Sequence, residues 1–385
     1  MFKIRLKRNL LYLLALYLSY FIRKIVSFII DQIYQISAPY LFLFMMTLGE
    51  FIGGLAVYIY HLSNFRNKTP VKYFGVKLIY NEVNLKVADG ILKQLVLIIF
   101  AGSFDFFEFI ILVFHIPKIA DISPTISARL GCLTTIASSL ICVYALRFKN
   151  CRHHKFSLIV MAICFFITLI LEFLFKPDSQ PLDRFILAHF LVFIFLISIS
   201  FNDCIERYLA DYNYLNPFRI LMLEGLYEFI LSIFYSINKD PFGGIIEKYK
   251  DLSGGSFALL IFLLIIYFSL CIIINVYKVY CNVIYTPMAR SLTEYFLNPI
   301  INIYYLVQKD DFHQNYYYFV VCEIICIFMD FSFYVYNEYL ILFCCGLEHN
   351  TGEEIHIRGI SREMTSMEID FDDDETRASK SMIYN

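Results

Sequence analysis

Apolar residues along this chain gather in unbroken runs of about 20. That is the length a helix needs to cross roughly 30 Å of hydrocarbon, and it is unlike the alternation of soluble strands. Ten such segments are expected as helices: Leu10–Ile30, Ala38–Tyr60, Ile91–Phe114, Pro124–Leu146, Phe156–Phe175, Phe185–Leu209, Pro217–Ile237, Phe257–Tyr280, Ile284–Val307 and Tyr316–Phe343. Arg23 and Lys24 interrupt the first, which either bends there or turns those side chains to a cavity. Pro299 falls inside the ninth and is expected to kink it.

Polar positions within the runs repeat. The seventh segment reads NPFRILMLEGLYEFILSIFYSI and places Glu228-Phe229 eleven residues after Pro217; the second, APYLFLFMMTLGEFIGGLAVYIY, places Glu50-Phe51 eleven after Pro39. A looser echo joins Ser123-Pro124 with Ala128-Arg129-Leu130 to Thr286-Pro287 with Ala289-Arg290. Both echoes join segments five apart. An odd number of spans per copy inverts the second copy, which predicts an all-helical (all-α) polytopic membrane protein of ten transmembrane helices in two inverted five-helix repeats. The expected organisation is residues 1–175 and 184–343 as the repeats, joined across Lys176–Asp183, with 344–385 as a cytosolic, disordered acidic tail.

Composition agrees. Of 385 residues 59% are hydrophobic and 17% charged, with no Trp and 30 Tyr, against about 45–50% and 25% in soluble domains. Tyr therefore supplies the interfacial belt. The net charge of −2 carries little information; the distribution of Lys and Arg carries more. Basic residues cluster at Lys3–Arg8, between Arg66 and Lys86, and from Arg147 to Lys155, and alternate connections are poor in them. The positive-inside rule then places both termini in the cytosol. The only Asn-x-Ser/Thr sequon, Asn67-Lys68-Thr69, falls on that same side. Eleven cysteines, mostly inside apolar runs, form neither a disulfide frame nor a zinc site. Cys344-Cys345 reads as membrane-boundary filler or an acylation site.

A carboxylate at mid-bilayer costs about 3 kcal/mol on insertion scales, so it turns to protein or to a water-filled cavity. Asp105 and Glu108 are three apart and Glu224 and Glu228 four apart, so each pair shares a helical face, where two carboxylates cannot both ionise cheaply. Arg290 and Glu294, four apart, neutralise each other; Arg129 has no acidic neighbour at helical spacing. Glu50, Asp105, Glu108, Arg129, Glu224, Glu228, Arg290 and Glu294 are the candidate cavity residues. Glu323 and Asp330 share a face of the last segment; Glu172 and Asp203 read as reaching the headgroups, and Lys278 as sitting at a segment end. Gly49-x-x-x-Gly53 beside Gly54 permits close helix contact. Cys151, His153 and His154 lie among basic residues and read as headgroup-facing, so no metal site is expected. No catalytic motif is present, and the expectation is a non-enzyme without cofactor.

Leu48-Gly49-Glu50-Phe51, Arg129 and Glu224-Gly225-Leu226, within this span pattern, resemble the drug/metabolite transporter superfamily, nearest its solute carrier 35 branch of nucleotide-sugar-transporter-like proteins. The resemblance covers Leu10 to Phe343. It implies ten helices around a central cavity, alternating access, and antiport of a nucleotide sugar against a nucleoside monophosphate. Acidic groups outnumber the two candidate arginines, a departure from phosphate-binding relatives. The expected function is secondary transport of a small polar or phosphorylated metabolite in an endomembrane (Golgi, ER, lysosome or vacuole). The alternative is a non-transporting scaffold or a receptor-like protein. Expected partners are a small-molecule substrate and the lipid bilayer, with a homodimer as an option and no nucleic acid.

Overall fold

In the computed structural model the described residues are 2–4, 10–34, 39–66, 72–73, 76–77, 90–115, 119, 130–146, 151–175, 181–213, 215–237, 246, 254–284, 316–343 and 347. Among them the architecture is almost wholly helical: α1 Leu10–Tyr34, α2 Pro39–Arg66, α3 Ile91–Phe109, α4 Cys132–Tyr144, α5 Arg152–Leu174, α6 Leu182–Tyr212, α7 Pro217–Ser236, α8 Gly254–Ile284 and α9 Tyr316–Tyr336. A π-helical turn, Ile110–His115, continues α3. Five of these helices (α1, α2, α5, α6 and α8) are long and apolar enough to cross a bilayer.

The side chains sort in the sense opposite to that of a soluble protein. Along α5, His153, Ser157, Met161, Cys164, Thr168 and Glu172 are buried at helical spacing. The other face exposes Ile159, Ile163, Phe166, Ile170 and Phe173. Polar groups inside and large apolar groups outside suit a lipid surround, where only unsatisfied polar groups are costly. The chain is a membrane-embedded helical protein.

The described chain clusters into two compact units, each drawn from both halves of the sequence. One comprises residues 11–114 and 205–283; the other comprises 1–10, 115–204 and 284–385, so α6 contributes to both.

In the first unit α2 and α7 run antiparallel in close contact. Tyr40 stacks near Tyr235 (6.0 Å between ring centroids) and Phe44 near Phe229 (4.9 Å). Thr47 Oγ1 donates to Ser232 Oγ at 3.2 Å. At the far end His61 meets the Phe218 ring edge-on. α7 starts where it does for a local reason. Pro217 occupies the first helical position, where its missing N–H costs nothing, and Asn216 Oδ1 accepts the Phe218 amide at 2.9 Å. α1 passes Arg23 without a break. The Arg23 guanidinium lies 5.2 Å from the ring centroid of Tyr20, one turn earlier on the same helix.

In the second unit α4 and α6 are joined by polar contacts, Ser200 Oγ donating to the Thr134 carbonyl at 2.9 Å and Thr134 Oγ1 to that of Leu196 at 3.3 Å. α5 packs on α4 and α9. The last expected segment is shorter than its hydrophobicity suggests. α9 stops at Tyr336, Glu338 adopts φ 57°, and Leu340–Leu342 forms a strand paired antiparallel with Phe2–Ile4. Residues 340–343 are therefore not helical: the left-handed turn at Glu338 ends the run despite its apolar composition. His153 and His154 are buried rather than headgroup-facing, with His154 stacked on Tyr336 at 4.3 Å. Glu172 and Asp203 are also buried, contrary to the expectation that they reach the headgroups. Most of the ninth expected segment, Ile284–Val307, and the acidic tail lie outside the described residues.

Candidate functional site

Glycine sets the site by bringing backbones together. A Cβ on Gly225 of α7 would overlap the Phe51 amide nitrogen and lie 2.9 Å from Glu50 Cγ; one on Gly54 of α2 would lie 2.5 Å from the Met222 nitrogen. The two helices therefore cross in backbone contact at the depth of their glutamates. Gly49 and Gly53 serve another neighbour, α8, where added Cβ atoms would meet Cys271 at 3.0 Å and Val276 at 3.1 Å. On α3, Gly102 sits against Tyr227 and Glu228 of α7.

These approaches gather carboxylates from three helices. One oxygen each of Glu50 (α2), Asp105 (α3) and Glu228 (α7) lie within 4.8 Å of one another. Glu224, one turn before Glu228, lies within electrostatic reach of Glu50, Asp105, Glu206 and Lys278. Glu224 and Glu228 are 1% and 3% exposed, and among the described residues no hydrogen-bond partner reaches Oε1 of either. Asp105 is the most open member of the trio.

The balancing charge comes from α8. Lys278 Nζ lies 3.6 Å from Asp105 Oδ1 and 4.0 Å from Glu206 Oε1. Asn282 Nδ2 donates to Glu206 Oε2 at 2.7 Å, and Arg207 donates to the Asn282 carbonyl at 2.8 Å. Arg207 thus caps one of the last carbonyls of α8, where a cation also meets the negative end of the helix dipole. A small cleft beside Glu206 is lined by Arg207, Ala210, Pro217, Ile220, Val279 and Asn282.

Of the sequence candidates, Glu50, Asp105, Glu224 and Glu228 come together. Glu108 is buried on α3 but does not join the three-oxygen cluster. Arg129, Arg290 and Glu294 lie outside the described residues. Lys278 corrects the sequence reading: it is buried and ion-paired, because α8 runs to Ile284 and places it inside the helix rather than at its end. Glu206 and Arg207 were not singled out by sequence. Their signal was the i, i+3 and i, i+4 recurrence of Asn202, Asp203, Glu206 and Arg207 on one stretch of α6. No protein-family model matches this chain, and no curated protein matches it in sequence.

Proposed function

We propose that this protein is a secondary transporter of the drug/metabolite type, with ten spans in two inverted five-helix repeats, moving a small polar or phosphorylated metabolite by alternating access. The observation that carries the reading is the buried, charged cluster on α2, α3, α7 and α8. Ionisable groups held inside membrane helices mark substrate and ion pathways. The antiparallel crossing of α2 and α7 at Glu50-Phe51 and Gly225 supports the inverted repeat, since an axis in the membrane plane reverses helix direction. Arg129 is assigned the anionic group of the substrate, as guanidinium binds it bidentately; Arg290 is assigned to Glu294 at rest and to the substrate when it arrives.

A second reading, a non-transporting scaffold, is favoured by the internal pairing of Lys278 with Asp105 and Glu206. Purified protein in liposomes, offered nucleotide sugars, nucleotides and amines, separates the two. Transport gives saturable uptake of one class that the Arg129→Gln, Arg290→Gln double variant abolishes for an anionic substrate. Absence of uptake across the panel selects the scaffold. Orientation has its own test. Both termini are assigned to the cytosolic side of an endomembrane, so a cysteine at Lys68 or Arg152 is labelled from the cytosol and one at Gly243 is not. Reversed labelling at all three sites overturns the assignment.

A further inference from the structure

We propose that Glu50, Asp105 and Glu228 form a binding site for a hard divalent cation, with Lys278 as the tethered cation that it displaces. Three carboxylate oxygens no more than 4.8 Å apart leave a point within about 2.8 Å of all three, and small side-chain adjustments bring that to the roughly 2.3–2.6 Å of calcium–oxygen bonds. An all-oxygen donor set suits Ca²⁺, Mn²⁺ or Mg²⁺ and disfavours thiophilic metals.

The cluster alone does not carry the proposal. Glu228 is 3% exposed, contributes one of the three gathered oxygens, and has an Oε1 that no described donor reaches. Glu224, equally buried one turn away, has the same open valence at Oε1. A buried carboxylate that shares a cluster with two others and keeps an oxygen without a donor is the environment of a cation ligand. Gly102 contributes as well: it has no side chain to cover Glu228 Oε1, which a Cβ there would approach to 3.4 Å.

Charge points the same way. Among the described residues, Lys278 lies within electrostatic reach of Glu50, Glu224 and Glu228, as does Asp105. Lys278 stands between two acids, 3.6 Å from Asp105 and 4.0 Å from Glu206. An incoming cation that takes Asp105 leaves the ammonium a second partner already within reach. Lysine suits this exchange, being a flexible point charge rather than a fixed fork. Asp105, the most open ligand, is the point of entry.

The test uses full-length protein in lipid nanodiscs, with Mn²⁺ as the probe, read by electron paramagnetic resonance and thermal unfolding. Wild type is expected to bind Mn²⁺ saturably at one site per chain, to lose it to Ca²⁺, and to melt at higher temperature when loaded. Glu228→Gln weakens Mn²⁺ at least about tenfold, because affinity at such sites follows ligand charge. Lys278→Gln, measured on the folded fraction isolated by size exclusion because loss of this ammonium also destabilises the protein, tightens it, a direction that misfolding does not produce. Glu172→Gln, in the other unit, leaves it unchanged. Lack of saturable Mn²⁺ binding by wild type, equal affinity in Glu228→Gln, or weakening in Lys278→Gln overturns the proposal. Binding is measured without flux, so failure of the transport reading leaves this result standing, and the reverse.

Discussion

Alanine at Gly225 is expected to remove most of the folded protein from the membrane, whereas alanine at Gly90 leaves it at wild-type level. The contrast follows from what the new methyl meets. At Gly90 nothing lies within 4 Å. At Gly225 the methyl overlaps the Phe51 nitrogen and falls 2.9 Å from the Glu50 carbonyl carbon, and these are main-chain atoms of a neighbouring helix. Overpacking a site whose neighbours are flexible side chains costs about 1–3 kcal/mol. Here no rotamer relieves the contact, so α2 and α7 must separate and the cost reaches the upper end of that range or beyond it. Gly54→Ala, facing the Met222 nitrogen at 2.5 Å, behaves like Gly225→Ala. Gly53→Ala is intermediate, because its obstacle at 3.1 Å is the Val276 side chain. Detergent-extracted protein, followed by size-exclusion profile and melting temperature, gives the ranking. Equal behaviour of Gly225→Ala and Gly90→Ala would contradict the helix crossing that places Glu50 beside Glu228.

Part of that crossing was legible in the sequence. The matched Pro-to-Glu intervals marked the second and seventh segments as copies of one another but not as neighbours, and the cost of a carboxylate in hydrocarbon marked Glu50, Asp105, Glu224 and Glu228. Hydropathy found where helices run because a spanning helix must satisfy its own backbone in lipid. It was less informative about where they stop. Lys278 looked terminal because the apolar run fades at Tyr280, yet the helix continues to Ile284 and buries it. At the other extreme, Leu340–Leu342 is as apolar as any span but pairs as a strand with Phe2–Ile4, a contact between the two ends of the sequence that no local pattern encodes. His153, His154 and Glu172 were misplaced for a related reason, whereas Asp203, like Lys278, lies well inside a helix that runs on past the apolar segment. Near a helix end, sequence does not distinguish a polar side chain reaching headgroups from one turned onto a neighbouring helix. Arg129, Arg290 and Glu294 rest on the sequence reading alone.

Lys278→Met is expected to be among the most damaging single substitutions, and Asp105→Asn to restore much of what it loses. The ammonium is buried and stands 3.6 Å from Asp105 and 4.0 Å from Glu206. Two unit charges about 4 Å apart interact by roughly 4 kcal/mol at an effective dielectric of about 20. The larger consequence is what remains. Removing one partner of a buried pair typically costs about 3–5 kcal/mol, because the other charge is left without compensation. Lys278→Met leaves Asp105 and Glu206 near Glu50, Glu224 and Glu228 without the ammonium that lies within reach of this group. Against a net stability of about 5–15 kcal/mol for an ordinary domain, such a loss is large. Neutralising Asp105 removes one uncompensated charge with little change of shape, so the Lys278→Met, Asp105→Asn double variant should recover melting temperature and abundance towards wild type. Glu172→Gln, a neutralisation in the other unit, should not rescue Lys278→Met. The coupling between positions 278 and 105, measured as a double-mutant cycle in metal-free buffer, is therefore expected to be large and favourable. Additive losses would mean that the 3.6 Å contact contributes nothing to the fold. They would also leave Lys278 without the anchoring role from which an incoming cation is proposed to displace it.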